Sequence, residues 1–307
     1  MKLTFFFAAL LPGLYWDLGP NTADTVKPAS IERLFVPPAQ QSAWTAAGIP
    51  VKAFDITQFI KLPSPGVERR MNVATATSMP WVDANGWRIE RDPHRPYYYD
   101  VPWRHAALAA AEAYVYGAEA VVRLEPRDLS AFSQMLAFLK EVDLPAMPVL
   151  ANIGIIDDGS DETGEVFNLL ARRNLLYRIV RSPEPQYDLN IQIGSKEFPK
   201  EEALDPFAFA TLVRQKLTDE KRYLRIYGSE VVLGQLAGDA KRLRVHLLNY
   251  GGGKVEGLRV RVRGAYQHAK SAVFGIDNAA LADFGHSDGG TEFTVPRMGP
   301  YAIVDLE

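Results

Sequence analysis

Hydrophobic and polar residues alternate along this chain in two different ways, and the change between them divides the sequence. Up to about residue 220, short apolar runs are separated by amphipathic segments with helical spacing. "IERLFVPP" (31–38) and "IPVKAFD" (49–55) predict strands on either side of a short helix, "AQQSAWTAAG" (39–48), which together predict a parallel β-α-β unit. From Tyr223 onward the period is two, which predicts antiparallel strands. We therefore expect an α/β domain at residues 21–222 and a small antiparallel β-sandwich at residues 223–307.

Further segments of the first part keep the same alternation of strand and helix. "ANIGIIDDG" (151–159) predicts a buried strand, and "SDETGEVFNLLARRN" (160–174) predicts a helix with Ser160 as its N-cap. The expected fold is a mostly parallel sheet of the flavodoxin-like type, with a partial (β/α) barrel as the alternative. In the second part, "RLRVHLLNY" (242–250) and "GLRVRVRG" (257–264) flank "GGGKVE" and predict a hairpin in which Val245 faces Val260.

That hairpin register places a group of arginines together on the opposite face. Like charges side by side need neutralisation, which predicts docking against acids of the α/β domain or an anionic partner such as a uronate-containing polysaccharide. The arginines concerned are Arg242, Arg244, Arg259, Arg261 and Arg263.

Composition excludes several classes of function. The net charge of −3 over 307 residues argues against a general nucleic-acid binder, which needs an excess of cations. The chain has no cysteine, so disulfides, thiolate metal sites and cysteine nucleophiles are excluded. None of the five histidines has the spacing of a zinc site, and we predict no metal and no cofactor. There is no G-x-S-x-G, which removes the commonest serine-hydrolase elbow. The sequence leaves the oligomeric state open.

The amino terminus, "MKLTFFFAALLPGLYW", carries one lysine and then a short apolar run. This run is too short to span a membrane and suits the h-region of a signal peptide over residues 1–20, which predicts a secreted or periplasmic protein. The alternative interpretation is a buried first strand.

Acidic residues crowd the end of one predicted strand and the start of the next helix, in "DDGSDE" (157–162). Parallel sheets bind ligands at the carboxyl ends of their strands, beside helix amino termini. Asp157, Asp158 and Glu162 are therefore weak catalytic candidates, since crowded carboxylates raise one another's pKa. A cation site is one alternative, and plain helix capping by solvated acids is the other.

Aromatic and polar side chains gather in "MPWVDANGWRIERDPHRPYYYDVPW" (79–103). Sugars stack their apolar C–H faces on aromatic rings while polar groups fix their hydroxyls, so this segment is a candidate saccharide-binding surface. The alternative is that the rings pack in the core, although three consecutive tyrosines in a strand leave at least one outside. The candidate binding residues are Trp81, Asp83, Asn85, Trp87, Arg88, Tyr97, Tyr98 and Tyr99.

Three stretches resemble parts of one group of enzymes. "RVHLLNYGGGKVEGLRVRVRG" with "TEFTVPRMGPYAIVDLE" resembles the terminal β-sandwich of many secreted bacterial glycoside hydrolases. "NIGIIDDGSDETGEVFNLLARRNLLYRIV" is similar to the opening β-α-β of the glutamine-amidotransferase-like domain in β-galactosidase-type enzymes. "ANGWR" followed by "AALAAAEAYVYGAEAVV" is similar to segments between the barrel and the accessory domains of those enzymes. The resemblance implies a saccharide or polysaccharide partner, handled at the strand ends of the α/β domain.

The same resemblance leaves catalysis open. No position here is assigned to the two catalytic glutamates of those enzymes, and a chain of 307 residues has no room for a full (β/α)₈ barrel beside both accessory domains. An active protein would be glycoside hydrolase-like; the alternative is a non-catalytic binding or assembly module, or a subunit of a larger complex.

Overall fold

A computed structural model describes residues 10–68, 81–143, 147–239 and 241–307. Residues 1–9 of the predicted signal segment and residues 79–80 of the aromatic segment lie outside these residues. The helices are α1 (Ala23–Val26), α2 (Gln41–Ala46), α3 (Gly86–Arg91), α4 (Ala106–Val115), α5 (Leu129–Glu141), α6 (Asp161–Arg172), α7 (Lys200–Ala203) and α8 (Pro206–Leu217).

The strands fall into parallel and antiparallel groups. In chain order they are β1 (Gly13–Tyr15), β2 (Leu34–Val36), β3 (Lys52–Ala53), β4 (Ile60–Leu62), β5 (Gly66–Glu68), β6 (Trp81–Asp83), β7 (Tyr97–Asp100), β8 (Ala120–Arg123), β9 (Val149–Leu150), β10 (Ile153–Ile156), β11 (Tyr177–Val180), β12 (Leu189–Gln192), β13 (Leu224–Tyr227), β14 (Val232–Gly238), β15 (Leu243–Asn249), β16 (Val255–Arg263), β17 (Ala269–Val273), β18 (Ala282–Ser287), β19 (Gly290–Met298) and β20 (Tyr301–Leu306).

The chain forms two compact units, and each is discontinuous in sequence. The first comprises Met1–Gly66 and Asp92–Ala146, and the second comprises Val67–Arg91 and Met147–Glu307. The predicted domain division at residues 222–223 falls inside the second unit. The reason is β9, which precedes the three-stranded parallel sheet in the chain but pairs with β14 of the antiparallel part.

The first unit contains a six-stranded parallel sheet in the order β3-β2-β1-β8-β7-β4. Read from the other edge, the order is β4, β7, β8, β1, β2, β3, so strands that follow one another in the chain are neighbours on each side of the β8–β1 pair. The two edge strands among the described residues are β3 and β4, and they do not pair with each other. This order differs from the 2-1-3-4-5 order of flavodoxin-like sheets. Parallel neighbours need crossover connections; α1 lies in the connection from β1 to β2, α2 in that from β2 to β3, and α4 in that from β7 to β8.

Strand β1 is central to this sheet. Leu14 is fully buried and pairs with Leu34 on one side and Val122 on the other. Of the two interpretations of the amino terminus, a buried strand therefore describes residues 13–15. A chain cleaved after residue 20 would lack this strand.

The second unit begins with a three-stranded parallel sheet in the order β11-β10-β12. Helix α6 starts where predicted, because the Ser160 hydroxyl accepts a hydrogen bond from the Thr163 backbone N–H at 3.2 Å. Phe167 and Leu170 of this helix pack with Ile153 and Ile155 of β10 in one apolar cluster.

The remainder of the second unit is antiparallel, with a four-stranded sheet β13-β16-β19-β18 and a five-stranded sheet β17-β20-β15-β14-β9. Residues of both sheets share one apolar cluster, in which Val245 of β15 and Val260 of β16 are fully buried. The predicted hairpin is wrong, because these strands belong to different sheets: β15 pairs with β14 and β20, and β16 with β13 and β19.

Three of the five predicted arginines are paired with acids inside the second unit. Arg244 makes a two-pronged ion pair with Asp305, at 2.6 and 2.8 Å, and Arg259 and Arg261 both bind Glu292. For these three arginines, neutralisation comes from acids on neighbouring strands rather than from docking against the α/β part. Among the described residues, no helix is long and apolar enough to cross a membrane.

Candidate functional site

Four charged side chains meet at the carboxyl edge of the six-stranded sheet. Asp100 and Arg123 are the last residues of β7 and β8 and face each other in register. Arg123 donates to Asp17 at 2.8 Å and lies 3.5 Å from Asp100, and the Lys61 ammonium lies 3.3 Å from the same Asp100 carboxylate. We call Asp17, Lys61, Asp100 and Arg123 the edge cluster. It links four strands of one sheet.

The edge cluster is open to solvent and pre-arranged. Its side chains are between one third and somewhat more than half exposed, so each retains donor or acceptor capacity toward a ligand. Tyr15, the last residue of β1, lies in register with Arg123. Burial raises the pKa of the Tyr15 phenol and Asp17 raises it further, so that this hydroxyl stays protonated at neutral pH.

A serine and a histidine lie close together near the same edge without forming a nucleophilic pair. The His105 Nδ1 is 2.8 Å from the Pro65 carbonyl oxygen, and this geometry requires Nδ1–H to donate. The Ser64 hydroxyl is 3.4 Å from that same nitrogen. A nitrogen that donates its proton cannot accept one from serine, so this contact does not activate Ser64.

The loop after β7 holds an exposed tryptophan between cations. Trp103 is 41% exposed, and the guanidinium groups of Arg104 and Arg127 lie 3.9 and 4.4 Å from its ring centre. Arg104 has a φ of 73°, a left-handed conformation that is costly for a residue with a side chain. Its backbone N–H donates to the buried Asp128 carboxylate at 2.6 Å, which holds the loop in this shape.

The three predicted tyrosines divide between two faces of β7. Tyr97 and Tyr99 are buried; their hydroxyls donate to the Asp92 carbonyl and to the buried Glu112 carboxylate. Burial raises the pKa of Tyr97 to about 12 and that of Tyr99 well above its usual value, with Glu112 adding to the latter. Tyr98 is half-buried on the other face, in register with Lys61 and two residues before Asp100. Tyr98 therefore lies beside the edge cluster.

Trp81 and Trp87 lie in the second unit, and Trp87 is part of a helix rather than of a loop. Trp87 is in α3, its ring centre is 6.3 Å from that of Phe167, and it belongs to the apolar cluster around β10. The Arg88 guanidinium covers the ring at 4.2 Å. Trp87 is thus largely a packing residue, because α3 lies against α6.

The neighbouring candidates are held by local contacts. Trp81 donates from Nε1 to Asp83 at 3.2 Å, and the Arg172 guanidinium lies 4.4 Å from its ring centre. Asn85 is fully buried and its carbonyl groups accept from Arg88. Together with Trp87 these residues belong to a different unit from Tyr97, Tyr98 and Tyr99.

The acidic run at the start of α6 is engaged in structural contacts. Asp157 binds the Arg91 guanidinium through both oxygens, at 2.8 and 2.9 Å. Asp158 accepts hydrogen bonds from Ser160 and from Thr163, and these bonds, with Ser160 the main contributor, lower its pKa to about 2. Such a carboxylate is ionised at neutral pH and does not serve as a general acid. Glu162 is half-buried in the first turn of α6.

The sequence reasoning missed the edge cluster because its members are single charged residues far apart in the chain. The available signal was positional, since Asp100 and Arg123 each follow an apolar run that predicts a strand. Within the described ranges, no three His, Asp or Glu side chains lie close enough to hold a metal ion.

Comparison with known proteins shows a similarity of fold only. No protein-family model and no curated protein matches the chain. α-L-Fucosidase isoenzyme 2 from Paenibacillus thiaminolyticus is similar with a TM-score of 0.55 and 10% identity, over 87% of this chain and 70% of that chain. The predicted resemblance to glycoside hydrolases is therefore confirmed as a glycoside hydrolase-like fold.

Two further solved structures are more distant. The β-galactosidase from Bacillus circulans sp. alkalophilus gives a TM-score of 0.37 at 8% identity, over 92% of this chain and 61% of that chain. A GH42 β-galactosidase from G. stearothermophilus gives 0.41 at 7% identity, over 84% of this chain and 64% of that chain. The present chain spans less than two thirds of either β-galactosidase.

Proposed function

We propose that the protein binds a saccharide at the carboxyl edge of the six-stranded sheet. The observation that carries this proposal is the edge cluster, in which Asp17, Arg123, Asp100 and Lys61 form one series of contacts across four strands. Ligand sites of parallel α/β folds lie at this edge. The glycoside hydrolase-like fold supports a carbohydrate as the ligand.

The chemistry of the edge cluster suits a neutral polyhydroxylated ligand. Two carboxylates accept hydrogen bonds and two cations donate them, so adjacent sugar hydroxyls, each a donor and an acceptor, find partners of both kinds. The formal charges of the four side chains cancel, so there is no net attraction for an ion. Tyr98, on the same face, provides an aromatic ring against which the C–H face of a sugar can pack.

The proposed activity is binding rather than cleavage. Hydrolysis of a glycosidic bond usually needs one protonated and one ionised carboxyl group that flank the bond. Asp17 and Asp100 both contact the Arg123 guanidinium, so each would have to give up an ion pair to act on a glycosidic bond. One cation therefore engages both carboxylates of the edge cluster, which favours the non-catalytic alternative raised by the sequence.

We further propose that the second unit corresponds to the accessory regions of glycoside hydrolases. Its strand order β11-β10-β12 is second–first–third in chain order, the order with which flavodoxin-like sheets begin. The two antiparallel sheets with one shared core support a β-sandwich as the other part. Export is also proposed, with any cleavage upstream of Gly13, because β1 begins there.

A glycan array followed by titration of its hits tests the proposed binding site. Asp100→Asn should weaken binding by roughly tenfold to a hundredfold, the effect of losing a hydrogen bond to a charged group. Asp24→Asn, which neutralises an exposed aspartate in α1, is the matched control and should bind normally. Equal binding by wild type and Asp100→Asn would place the saccharide elsewhere.

A hydrolysis screen on the same glycans tests the non-catalytic part of the proposal. The purified protein should release no reducing ends from glycans that it binds. Release that is lost in Asp100→Asn but kept in Asp24→Asn would show that this edge is an active site, which would overturn the proposal of binding alone.

A further inference from the structure

A concavity lies in the antiparallel part of the second unit, where three chain segments meet. These are the turn before β16, the loop between β17 and β18, and the end of β19 with the turn into β20. The cavity has a volume of about 630 Å³, within the range of small-molecule sites. Much of its wall is apolar, formed by Val273, Ile276, Leu281, Val295, Pro296 and Pro300.

Two cationic side chains line this cavity. Lys254 and Arg297 are both exposed, and neither side chain forms an ion pair or a hydrogen bond with any residue that the structure describes. Asp277 is the single acidic residue in the lining. The lining therefore combines an apolar wall with two cations and one acid, and a second acid, Glu256, lies in register with Arg297 on the neighbouring strand.

A buried asparagine holds the backbone near the two cations in place. The buried Asn249 donates from Nδ2 to the Gly253 carbonyl at 2.7 Å and to the Gly299 carbonyl at 3.1 Å. One amide thus ties together the segments that carry Lys254 and Arg297. Binding to this cavity requires little rearrangement of the main chain, which favours affinity.

The opposite wall is fixed by similar contacts. The Ser271 hydroxyl donates to the Ala279 carbonyl at 2.7 Å, and the Phe274 N–H donates to the Tyr301 carbonyl at 3.1 Å. The loop between β17 and β18 is therefore attached at both of its sides.

We propose that this cavity binds an acidic sugar unit, a uronate of a polysaccharide. The carboxylate of the sugar pairs with Arg297 and Lys254, and the C–H face of the ring packs on the apolar wall. An arginine fork matches a carboxylate with two parallel hydrogen bonds, which neutral sugars do not offer. This site is separate from the edge cluster in residues and in charge, and it does not depend on the saccharide proposed there.

Titration calorimetry with a trimer of galacturonic acid tests the proposal, with the methyl ester of the same trimer as the neutral ligand. The acid should bind, and the ester should bind roughly tenfold or more weakly, because it keeps the ring but loses the charge. Lys254→Ala combined with Arg297→Ala should weaken binding of the acid by a comparable factor or more. Lys196→Ala combined with Lys200→Ala removes two exposed lysines of the same unit and should change nothing.

Three other outcomes would each reject a specific part of the proposal. Equal binding of acid and ester would exclude recognition of the carboxylate, and unchanged binding in the Lys254/Arg297 variant would exclude this cavity. Sulfate that binds as tightly as the trimer would exclude sugar recognition. Asp100→Asn should leave binding of the acid intact, so failure here is distinguishable from failure at the edge cluster.

Discussion

Replacing Gly164 with alanine should destabilise the protein although alanine is the better helix former. Gly164 lies in the first turns of α6, under the ring of Trp87. A Cβ at this position would lie 2.9 Å from Cη2 and 3.0 Å from Cζ3 of that ring. A rigid indole cannot yield by rotation of a flexible end, so α3 has to shift.

The expected size follows from two opposing effects. Alanine in place of glycine within a helix stabilises by up to about 1 kcal/mol. Overpacking at a close contact costs about 1–3 kcal/mol. The net result for Gly164→Ala is a loss of up to about 2 kcal/mol. In the Trp87→Phe variant these two ring atoms are absent, so Gly164→Ala should stabilise that variant by up to about 1 kcal/mol.

Trp87→Phe is a suitable background because this substitution alone should change the free energy of unfolding only slightly. The indole Nε1 is buried and has no hydrogen-bond partner in the described structure, and an unsatisfied buried donor costs about 1–3 kcal/mol. Phenylalanine removes that donor, which offsets the loss of apolar contact with Phe167.

Urea unfolding of the four proteins measures the coupling between the two sites, expected to be about 1–3 kcal/mol. Ala171→Gly, elsewhere in α6, reports helix propensity alone and should cost the same in both backgrounds. If Gly164→Ala stabilises the wild type as much as it stabilises the Trp87→Phe variant, then Trp87 does not pack on α6.

Four further substitutions test burial and charge. Burial raises the pKa of Glu90, so the folded state holds this proton more tightly; relative to Glu90→Gln, the wild type should lose stability as the pH rises above about 4, which urea midpoints of the two proteins measure. Asp158, with its pKa lowered to about 2, stabilises above the unfolded pKa near 4; Asp158→Asn should be less stable at neutral pH, and the difference should vanish as the pH falls through 2. Tyr99→Phe removes the hydrogen bond of 2.9 Å to buried Glu112 and should lose about 1.5–3 kcal/mol in urea unfolding. Leu14→Ala should lose about 2–5 kcal/mol, and a normal melting temperature would show that β1 is dispensable.

Local features of the fold were predictable because their causes are local. The β-α-β unit is observed as β2, α2 and β3, with β2 and β3 parallel. Helix α6 was expected at 160–174 and is observed at Asp161–Arg172, since the Ser160 hydroxyl caps the first turn. Capping and amphipathic spacing depend on residues within one or two turns, and sequence displays them directly.

Strand pairing was not predictable in the same way. Alternation correctly indicates that Val245 and Val260 are both core residues, but it does not identify the neighbouring strand. The partners of Val245 are Leu236 and Val304, and the segment between β15 and β16 crosses from one sheet to the other. A turn of the same length suits a hairpin or a crossing, and the Asn249 bonds that fix the crossing involve Gly299, far along the chain.

The candidate site was predictable only for one residue. Alternation along β7 indicates that one of three tyrosines faces away from the core, and Tyr98 does so beside Asp100. The rest of the edge cluster depends on which strands are neighbours, a long-range property. Aromatic enrichment drew attention to Trp87 instead, where the rings of Trp87 and Phe167 pack together.

The chain passes from the first unit to the second, back to the first and again to the second, which affects folding during synthesis. Helix α3 is translated before the last strands of the first unit, whereas its packing partner α6 is translated after them. On the ribosome, the apolar face of Trp87 therefore remains uncovered while the first unit is completed, and chain segments that wait in this way are prone to association. A gene fragment that starts at Met147 would encode α6 without α3 and would leave Phe167 exposed to water. Expression of the second unit alone therefore needs residues 81–91 joined to it through a linker.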